Sequence, residues 1–305
     1  MRAITLRHFA AFALLAALAA SAQEKPAAAS PEPARANRAR PIVLAPDDVR
    51  TFPEAPAGFK VLRPGVPTGR IELFEYDSAV THTRRQANVY LPPGYSPDRK
   101  YPVLYLLHGI GGDITEWLRA ASPNVVLDNL IAEGKAVPMI VVLPNGRALP
   151  DDRPGPNVFA PDQVAGFARF EGDLLDNLVP AIQAKYPTMD DREHRALAGL
   201  SMGGGQTLNI GFGHLDTFAW LGAFSCAPNT KPPAELVPDP VAARAKLRLI
   251  YLSCGNKDGL INFSQGVHRY LKEQGVPHVW NVDDHGHDGE TWAGNLYYFA
   301  QAIFR

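Results

Sequence analysis

The feature that most constrains the fold is a G-x-S-x-G sequence, Gly199 to Gly203, that lies between a strand-like run and a helix-like segment. It follows the strand-like run 195–198 and leads into a glycine-rich helix start. This context predicts a sharp strand-to-helix turn, in which small neighbours let the backbone reverse and leave the hydroxyl of Ser201 exposed at the end of a central sheet. The pattern therefore indicates a sheet-based fold and a candidate nucleophile at the same point in the chain.

Short apolar runs alternate with longer helical patterns through the body of the chain, and this alternation predicts βαβ units and a largely parallel sheet. The first two runs are expected to form an antiparallel hairpin, whereas the later ones, nearly continuous in apolar residues, are expected to be buried on both faces. The predicted strands are 71–76, 87–91, 103–107, 140–143, 196–200, 220–224, 247–252 and 279–282. We therefore predict an α/β fold with a mostly parallel central sheet of about eight strands flanked by helices.

Helical periodicity predicts five helices, at 125–133, 171–185, 203–211, 264–274 and 292–304. Between the fourth strand and the second helix lies the segment 144–166, which is rich in Pro, Gly and Asp. It is predicted to be a loop, and loops of this length are usually functional or disordered.

The N-terminus has the three parts of a secretory signal peptide: early arginines, an apolar run over 9–20, and the small residues Ala20-Ser21-Ala22. We expect residues 1–22 to be removed and the protein to be secreted or periplasmic, with no membrane contact after cleavage. Residues 23–57 are rich in Ala, Pro and Arg and are predicted to be a linker and N-terminal extension, which leaves 58–305 as the catalytic domain.

Charge and cysteine content exclude some classes of function. Removal of the signal peptide takes away two of the 30 basic residues and none of the 31 acidic ones, so the net charge becomes −3, which gives no electrostatic case for nucleic-acid binding. The two cysteines, Cys226 and Cys254, could form a disulfide in an exported protein or could be two small buried residues. Neither has the partners expected of a catalytic thiol or a metal site.

A serine hydroxyl needs a base to take its proton and an acid to orient that base. Asp258 directly follows the predicted strand 247–252, and His287 follows the strand 279–282. Loops at the ends of parallel strands would present both side chains near Ser201. We therefore predict Ser201, Asp258 and His287 as a catalytic triad.

The neighbours of His287 offer alternatives. His285 could be the base instead, and a His-x-His pair can also bind a metal, but no third ligand occurs at a recognisable spacing, so no metal is predicted. The acids 283, 284 and 288 are more simply solvated loop residues or turn formers. Asp258 is preferred because an acid adjacent to the histidine in the chain can seldom reach around to its Nδ1 atom.

The negative oxygen that develops on a substrate carbonyl needs backbone N–H donors, commonly one after the nucleophile and one from the loop after an earlier strand. Met202 supplies the first. The second is expected from the glycine loop 108–112, with Ile110 as the preferred donor and Gly109 and Gly111 as alternatives. His108 is expected to steady this loop.

Taken together, these motifs resemble the esterase D-like branch of the α/β-hydrolases, most closely the bacterial feruloyl esterases of carbohydrate esterase family 1. The matching residues are Val89 to Tyr95, Tyr105 to Gly112, Asp191 to Arg195, Gly199 to Gln206, Cys254 to Asp258, and His287-Asp288 followed by Trp292. The resemblance implies an α/β-hydrolase fold and ester hydrolysis through an acyl-serine intermediate without a cofactor, and by position it assigns the same triad.

For the substrate, the resemblance implies a small-molecule or polysaccharide ester, with feruloyl or acetyl groups of plant cell-wall xylan as the leading candidates. Enterochelin-esterase-like hydrolases and acyltransferases share the pattern and are alternatives, and a non-catalytic binding protein is a remote one. Gly109, Trp117 and Trp292 are candidate substrate-binding residues, although either tryptophan could equally belong to the core. The oligomeric state is not predicted by the sequence.

Overall fold

The computed structural model describes residues 41–305, and the predicted signal peptide and residues 23–40 of the predicted linker lie outside the described residues. Its eight strands are β1 (Arg70–Ser78), β2 (Thr83–Leu91), β3 (Val103–Leu107), β4 (Ile140–Pro144), β5 (Arg195–Leu200), β6 (Trp220–Phe224), β7 (Leu249–Gly255) and β8 (Val279–Asp283). They form one sheet in the order β1-β2-β4-β3-β5-β6-β7-β8. Strand β2 pairs antiparallel with β1 and β4, and all other pairs are parallel. The predicted strands, their hairpin and the mostly parallel sheet are confirmed.

Helices cover both faces of this sheet. They are α1 (Glu116–Ala120), α2 (Pro123–Ala132), α3 (Pro161–Asp173), α4 (Val179–Lys185), α5 (Met202–Gly213), α6 (Pro233–Leu236), α7 (Pro240–Lys246), α8 (Ile261–Glu273) and α9 (Gly289–Ala302). A five-residue π-helical segment, Leu174–Leu178, joins α3 to α4. Across residues 41–305, no helix has the length and apolar character needed to cross a bilayer.

The predicted loop 144–166 is partly wrong. Pro144 closes β4, and α3 begins at Pro161, ten residues before the predicted helix start at 171. Proline suits the first turn of a helix because its missing N–H would have no intrahelical acceptor there. The irregular segment is therefore only 145–160, and it connects the central sheet directly to a long helix.

The sheet separates two apolar cores. On one face, side chains of α3 to α5 and α8, such as Phe170 and Leu271, pack against the strands. On the other face, α1, α2 and α9 contribute residues such as Leu130 and Phe299. Strands β3 to β6 are buried along their whole length, because each has neighbours on both edges and helices on both faces.

The folded unit begins before the predicted boundary at residue 58. The backbone N–H of Val282, on β8, donates to the carbonyl of Val49 at 3.1 Å, and the indole N–H of Trp280 donates to Asp48 at 2.9 Å. Phe52 stacks on Tyr298 with ring centroids 4.6 Å apart. Residues 47–57 thus pack against the last strand and helix and are not a free linker.

The parallel part of the sheet determines where functional side chains can meet. The strands β3, β5, β6, β7 and β8 are consecutive neighbours and all run in the same direction. Their carboxyl ends therefore lie along one edge, and the loops after β3, β5, β7 and β8 converge there.

Candidate active site

Ser201 lies in the turn between β5 and α5 in a strained conformation. Its φ is 53° and its ψ is −117°, a region that residues with a side chain rarely adopt. Its N–H donates to the carbonyl of Phe224 at 2.9 Å, which fixes the turn to β6. The turn packs so closely on β3 that a Cβ atom at Gly203 would lie 2.5 Å from the carbonyl oxygen of Leu107. Glycine is required there because the backbones touch.

The structure brings Ser201, His287 and Asp258 together in one hydrogen-bonded chain. Ser201 Oγ lies 2.9 Å from His287 Nε2, and His287 Nδ1 lies 2.7 Å from Asp258 Oδ2. Because a carboxylate can only accept, Nδ1 carries the proton, and Nε2 is left to accept from the serine hydroxyl. Ser201 is a buried residue, with 7% of its surface exposed.

Asp258 is held as a carboxylate although it is buried. Burial would raise its pKa, but the hydrogen bond and charge of His287 outweigh that effect and lower the pKa below its usual value. Two further donors contribute: the backbone N–H of Leu260 at 2.8 Å to Oδ1, and the thiol of Cys254 at 3.3 Å to Oδ2. The acid therefore has a partner on both oxygens.

The alternatives near His287 are engaged elsewhere. His285 Nε2 contacts Glu54 at 3.0 Å. Asp288 caps α9 by accepting from the N–H groups of residues 290 and 291. Asp284 is exposed and pairs with Arg50 at 2.8 Å, whereas Asp283 is buried in hydrogen bonds with residues 285, 291 and 295. None of these side chains is hydrogen-bonded to Ser201 or His287.

Backbone N–H groups without acceptors lie on both sides of Ser201. Within residues 41–305, the N–H groups of Met202 and Ile110 donate to no protein atom, as expected of oxyanion donors. The N–H of Gly109, in contrast, donates to Glu116 Oε2 at 2.6 Å. The Gly109 alternative is therefore removed, because its donor is already used, and Ile110 and Gly111 remain.

The two candidate tryptophans occupy different environments. Trp117 is 1% exposed, its indole N–H donates to the carbonyl of Leu107 at 2.8 Å, and its ring packs edge-on against Phe224. It belongs to the core, which corrects its prediction as a substrate-binding residue. Trp292 is 9% exposed and packs edge-on against His287, with ring centroids 5.4 Å apart. It supports the histidine ring from one side.

A small apolar cluster includes Met202, the residue that follows Ser201, and the sequence did not predict this cluster. Met202, Phe167 and Ala227 form a small buried cluster against which Ile110 and Leu260 pack. These residues come from five separate segments of the chain, so no periodic pattern in the sequence could have predicted that they meet. The cluster thus packs Met202 against an aromatic residue of α3, Phe167.

Polar residues that the sequence did not single out hold the glycine loop. Arg147 donates to the carbonyl oxygens of Ile110 and Gly112, each at 3.3 Å. His108 contacts the carbonyl of Gly109 through Nδ1 at 2.6 Å, and its Nε2 accepts from the N–H of Gly146 at 2.9 Å. Burial lowers the pKa of His108, so its ring is neutral. The loop after β4 is therefore tied to the loop after β3.

The described residues offer no obvious metal site, since no three His, Cys, Asp or Glu side chains in 41–305 are close enough to share an ion. Cys226 and Cys254 are both buried and free. Burial raises the pKa of the Cys226 thiol to about 12, which keeps it protonated.

Among known sequences, the chain is similar to esterases and to xylanases, one of which is also a feruloyl esterase. A family model described as a putative esterase matches residues 78–296. The chain is 33% identical over 262 residues to the endo-1,4-beta-xylanase/feruloyl esterase of Xylanibacter ruminicola, a match that covers 83% of this chain and 34% of that protein. It is 31% identical over 177 residues to endo-1,4-beta-xylanase Y of Acetivibrio thermocellus, covering 54% of this chain and 15% of that one. The chain thus corresponds to only part of each of these longer proteins.

Among solved structures, the chain is similar to ferulic acid esterases. The ferulic acid esterase of the anaerobic fungus Anaeromyces mucronatus, solved in complex with ferulic acid, is 29% identical and superposes with a TM-score of 0.73. The match covers 82% of this chain and 96% of the fungal one. The predicted α/β-hydrolase fold is confirmed.

Proposed function

The chain belongs to the putative esterase family, and on this premise we propose that it is a serine carboxylic ester hydrolase that works through an acyl-serine intermediate. The observation that carries the proposal is the hydrogen-bonded chain Ser201–His287–Asp258 beside the unpaired N–H groups of Met202 and Ile110. The three side chains are within hydrogen-bond distance of one another in the order that acyl transfer requires, and the two N–H groups are free to donate to a substrate.

In the first half of the reaction, Ser201 Oγ attacks the ester carbonyl while its proton passes to His287 Nε2. Asp258 stabilises the imidazolium that forms and keeps Nδ1 pointing toward its carboxylate. The negative carbonyl oxygen is stabilised by the N–H groups of Met202 and Ile110. When the tetrahedral intermediate collapses, the C–O bond to the alcohol breaks, and the alcohol leaves with the proton from His287.

In the second half, water replaces the alcohol. His287 takes a proton from the water as its oxygen attacks the acyl-serine, and the same two N–H groups stabilise the second tetrahedral intermediate. Collapse breaks the bond to Ser201 Oγ, which recovers its proton from His287. The products are a carboxylic acid and the free enzyme.

For the substrate, we propose feruloyl or acetyl esters of plant cell-wall polysaccharide, with export directed by the predicted signal peptide. The apolar cluster of Met202, Phe167 and Ala227 supports an aromatic acyl group, because it packs an aromatic side chain against the residue that follows the nucleophile, and aromatic rings pack favourably against one another. Two relatives are described as feruloyl or ferulic acid esterases, one of them joined to a xylanase.

The test compares three esters under one protocol: methyl ferulate, acetylated xylan and a catecholate siderophore ester. We expect turnover of methyl ferulate or acetylated xylan by the wild-type protein. Ser201→Ala and His287→Gln should each lower kcat/KM by roughly 10⁴-fold or more, because loss of the nucleophile or the base leaves only binding and oxyanion stabilisation.

His285→Gln is the matched control, since this histidine is two residues away and contacts Glu54 instead. It should keep kcat/KM within about twofold of the wild type. Equal rates in wild type and Ser201→Ala would refute the esterase proposal. Turnover of the siderophore ester alone would refute the substrate assignment and leave the chemistry intact.

A further inference from the structure

Arg147 is a buried charged side chain that contacts the candidate oxyanion loop only through backbone atoms. It is fully buried, and its Nη1 donates to the carbonyls of Ile110 and Gly112 while Nη2 donates to the carbonyl of Asp152 at 3.1 Å. Its guanidinium lies over the ring of Phe167, 5.9 Å from the centroid. Because it is fully buried, it cannot touch a substrate directly.

The surroundings of Arg147 do not compensate for the cost of burying its charge. Among residues 41–305, no carboxylate pairs with it, and its Nε atom is buried without an acceptor. Burial lowers its pKa, which reflects the cost of keeping the charge away from water. An apolar side chain of similar size would avoid this cost. The position therefore calls for an explanation beyond packing.

The opposite side of the same loop is held by Glu116 and His108. Glu116 accepts from the N–H of Gly109, and the N–H of Gly112 donates to the carbonyl of Gly109 at 3.2 Å. His108 also binds that carbonyl. In a planar trans peptide the carbonyl and the N–H point in opposite directions, so fixing the carbonyl of Gly109 fixes the direction of the Ile110 N–H.

The loop lies close enough to the serine for this orientation to matter. A Cβ atom at Gly109 would lie only 3.3 Å from Cβ of Ser201. Within the loop, the hydrogen bonds of Gly109 and Gly112 leave Ile110 and Gly111 with the free N–H groups. Arg147 binds the carbonyl between those two, which sets the direction of the peptide that joins them.

We propose that Arg147 is a positioning residue for the oxyanion loop. By holding the carbonyl of Ile110 it fixes the direction of the Gly111 N–H, and by holding the carbonyl of Gly112 as well it keeps the segment that carries the Ile110 N–H in place beside Ser201. This inference rests on the proposed function. Arg147 is itself held in place, because Arg85 donates to the carbonyl of Arg147 at 3.0 Å.

The test replaces Arg147 with Met, which keeps the length of the side chain and removes its donors, and with Lys, which keeps one donor group and the charge. For Arg147→Met, kcat for methyl ferulate should fall about 10- to 100-fold, since a displacement of about 1 Å of the reacting groups can cost 10²-fold. KM and the inhibition constant of ferulic acid should stay within about threefold. Arg147→Lys should recover part of the loss in kcat.

A second readout does not depend on ester hydrolysis. A fluorophosphonate forms a bond to Ser201 Oγ with loss of fluoride, and its phosphoryl oxygen occupies the place of the substrate oxyanion. Its second-order labelling rate should fall in Arg147→Met in proportion to kcat. Arg153→Met is the control, because this arginine is on the same loop but exposed and paired with Asp151, and it should label at the wild-type rate.

The outcomes separate the two proposals. If the wild type labels at Ser201 but hydrolyses none of the esters, the proposed function fails and the labelling rates of the variants still decide the role of Arg147. If folded Arg147→Met, checked by circular dichroism, labels as fast as the wild type, the positioning role is wrong. If Arg147→Met does not fold, Arg147→Gln decides, because its shorter uncharged side chain cannot reach both carbonyls, and wild-type kcat and labelling in it would overturn the proposal. A folded wild type that does not label at all refutes both.

Discussion

The two halves of the candidate site are built in different ways. The half that contains Ser201, His287 and Asp258 consists of side chains in the loops after the parallel strands β5, β7 and β8, joined by direct hydrogen bonds. The half that contains Ile110 consists of backbone N–H groups, and its geometry depends on buried side chains from distant segments. A side chain carries its chemistry wherever the fold puts it, whereas a backbone donor acts only if its peptide is correctly aimed.

This difference predicts different responses to substitution. Substitutions in the triad half that keep the size of the side chain should alter chemistry and leave the fold intact, because they preserve the packing around the site. Changes in the oxyanion half should alter geometry and stability together, because that half depends on buried charge. The following experiments test that division, beginning with the largest expected effect.

Asp258→Asn tests the triad half. The amide should lower kcat by about 10³- to 10⁴-fold, because it can present an N–H to the imidazole and favour the wrong tautomer. The melting temperature should change by only a few degrees. Asp284→Asn, at an exposed acid near His287, is the control and should keep wild-type kcat. A fall of less than about tenfold for Asp258→Asn would show that this carboxylate is not the orienting acid.

Arg85→Met tests the oxyanion half indirectly, because Arg85 holds the backbone of Arg147, which in turn holds the oxyanion loop. Arg85 is fully buried, pairs with the buried carboxylate of Asp173 and with Asp152, and holds the backbone at Asn145 and Arg147. Its loss leaves Asp173 unpaired except for the hydroxyl of Tyr76, so the free energy of unfolding should fall by about 3 to 5 kcal/mol.

The double variant Arg85→Met/Asp173→Leu isolates that cost. Removing both charges should recover a large part of the lost stability, measured by equilibrium unfolding in urea, while kcat stays below the wild-type value. If the double variant is no more stable than Arg85→Met alone, the unpaired carboxylate does not explain the loss.

Cys254→Ala has the smallest expected effect. The thiol is a weak donor to Asp258, whose carboxylate keeps its bonds from His287 and from the N–H of Leu260. We expect kcat to fall by about two- to fivefold, since the carboxylate loses only one weak hydrogen bond, from a thiol. Cys226→Ala, at a buried thiol not bonded to Asp258, should leave kcat unchanged. A hundredfold loss in Cys254→Ala would show that the acid depends on the thiol far more than its geometry suggests.

The sequence predicted the triad half well for a physical reason. Buried parallel strands appear as apolar runs, and the residues after them lie on one edge of the sheet, so Ser201, Asp258 and His287 could be placed together from strand positions alone. The structure contains each predicted strand with shifts of a few residues at the ends, as at β2 and β7.

The oxyanion half was harder to predict from the sequence. Arg147, Glu116 and Phe167 act through contacts between distant segments, and no periodicity records such contacts. The start of α3 could have been predicted, because Pro161 followed by Asp162 is a favourable helix N-terminus. The prolines and glycines before Pro161 instead indicated a continuous loop. Trp117 was misplaced for a related reason: its role depends on the carbonyl that its indole meets, which the sequence does not specify.

The backbone of Ser201 has one more consequence. At φ 53° and ψ −117°, glycine would have less backbone strain than any residue with a side chain, yet glycine has no hydroxyl. Selection for chemistry and selection for stability therefore act in opposite directions at this position. A lineage without the reaction could gain stability here by a single substitution of Ser201 to glycine.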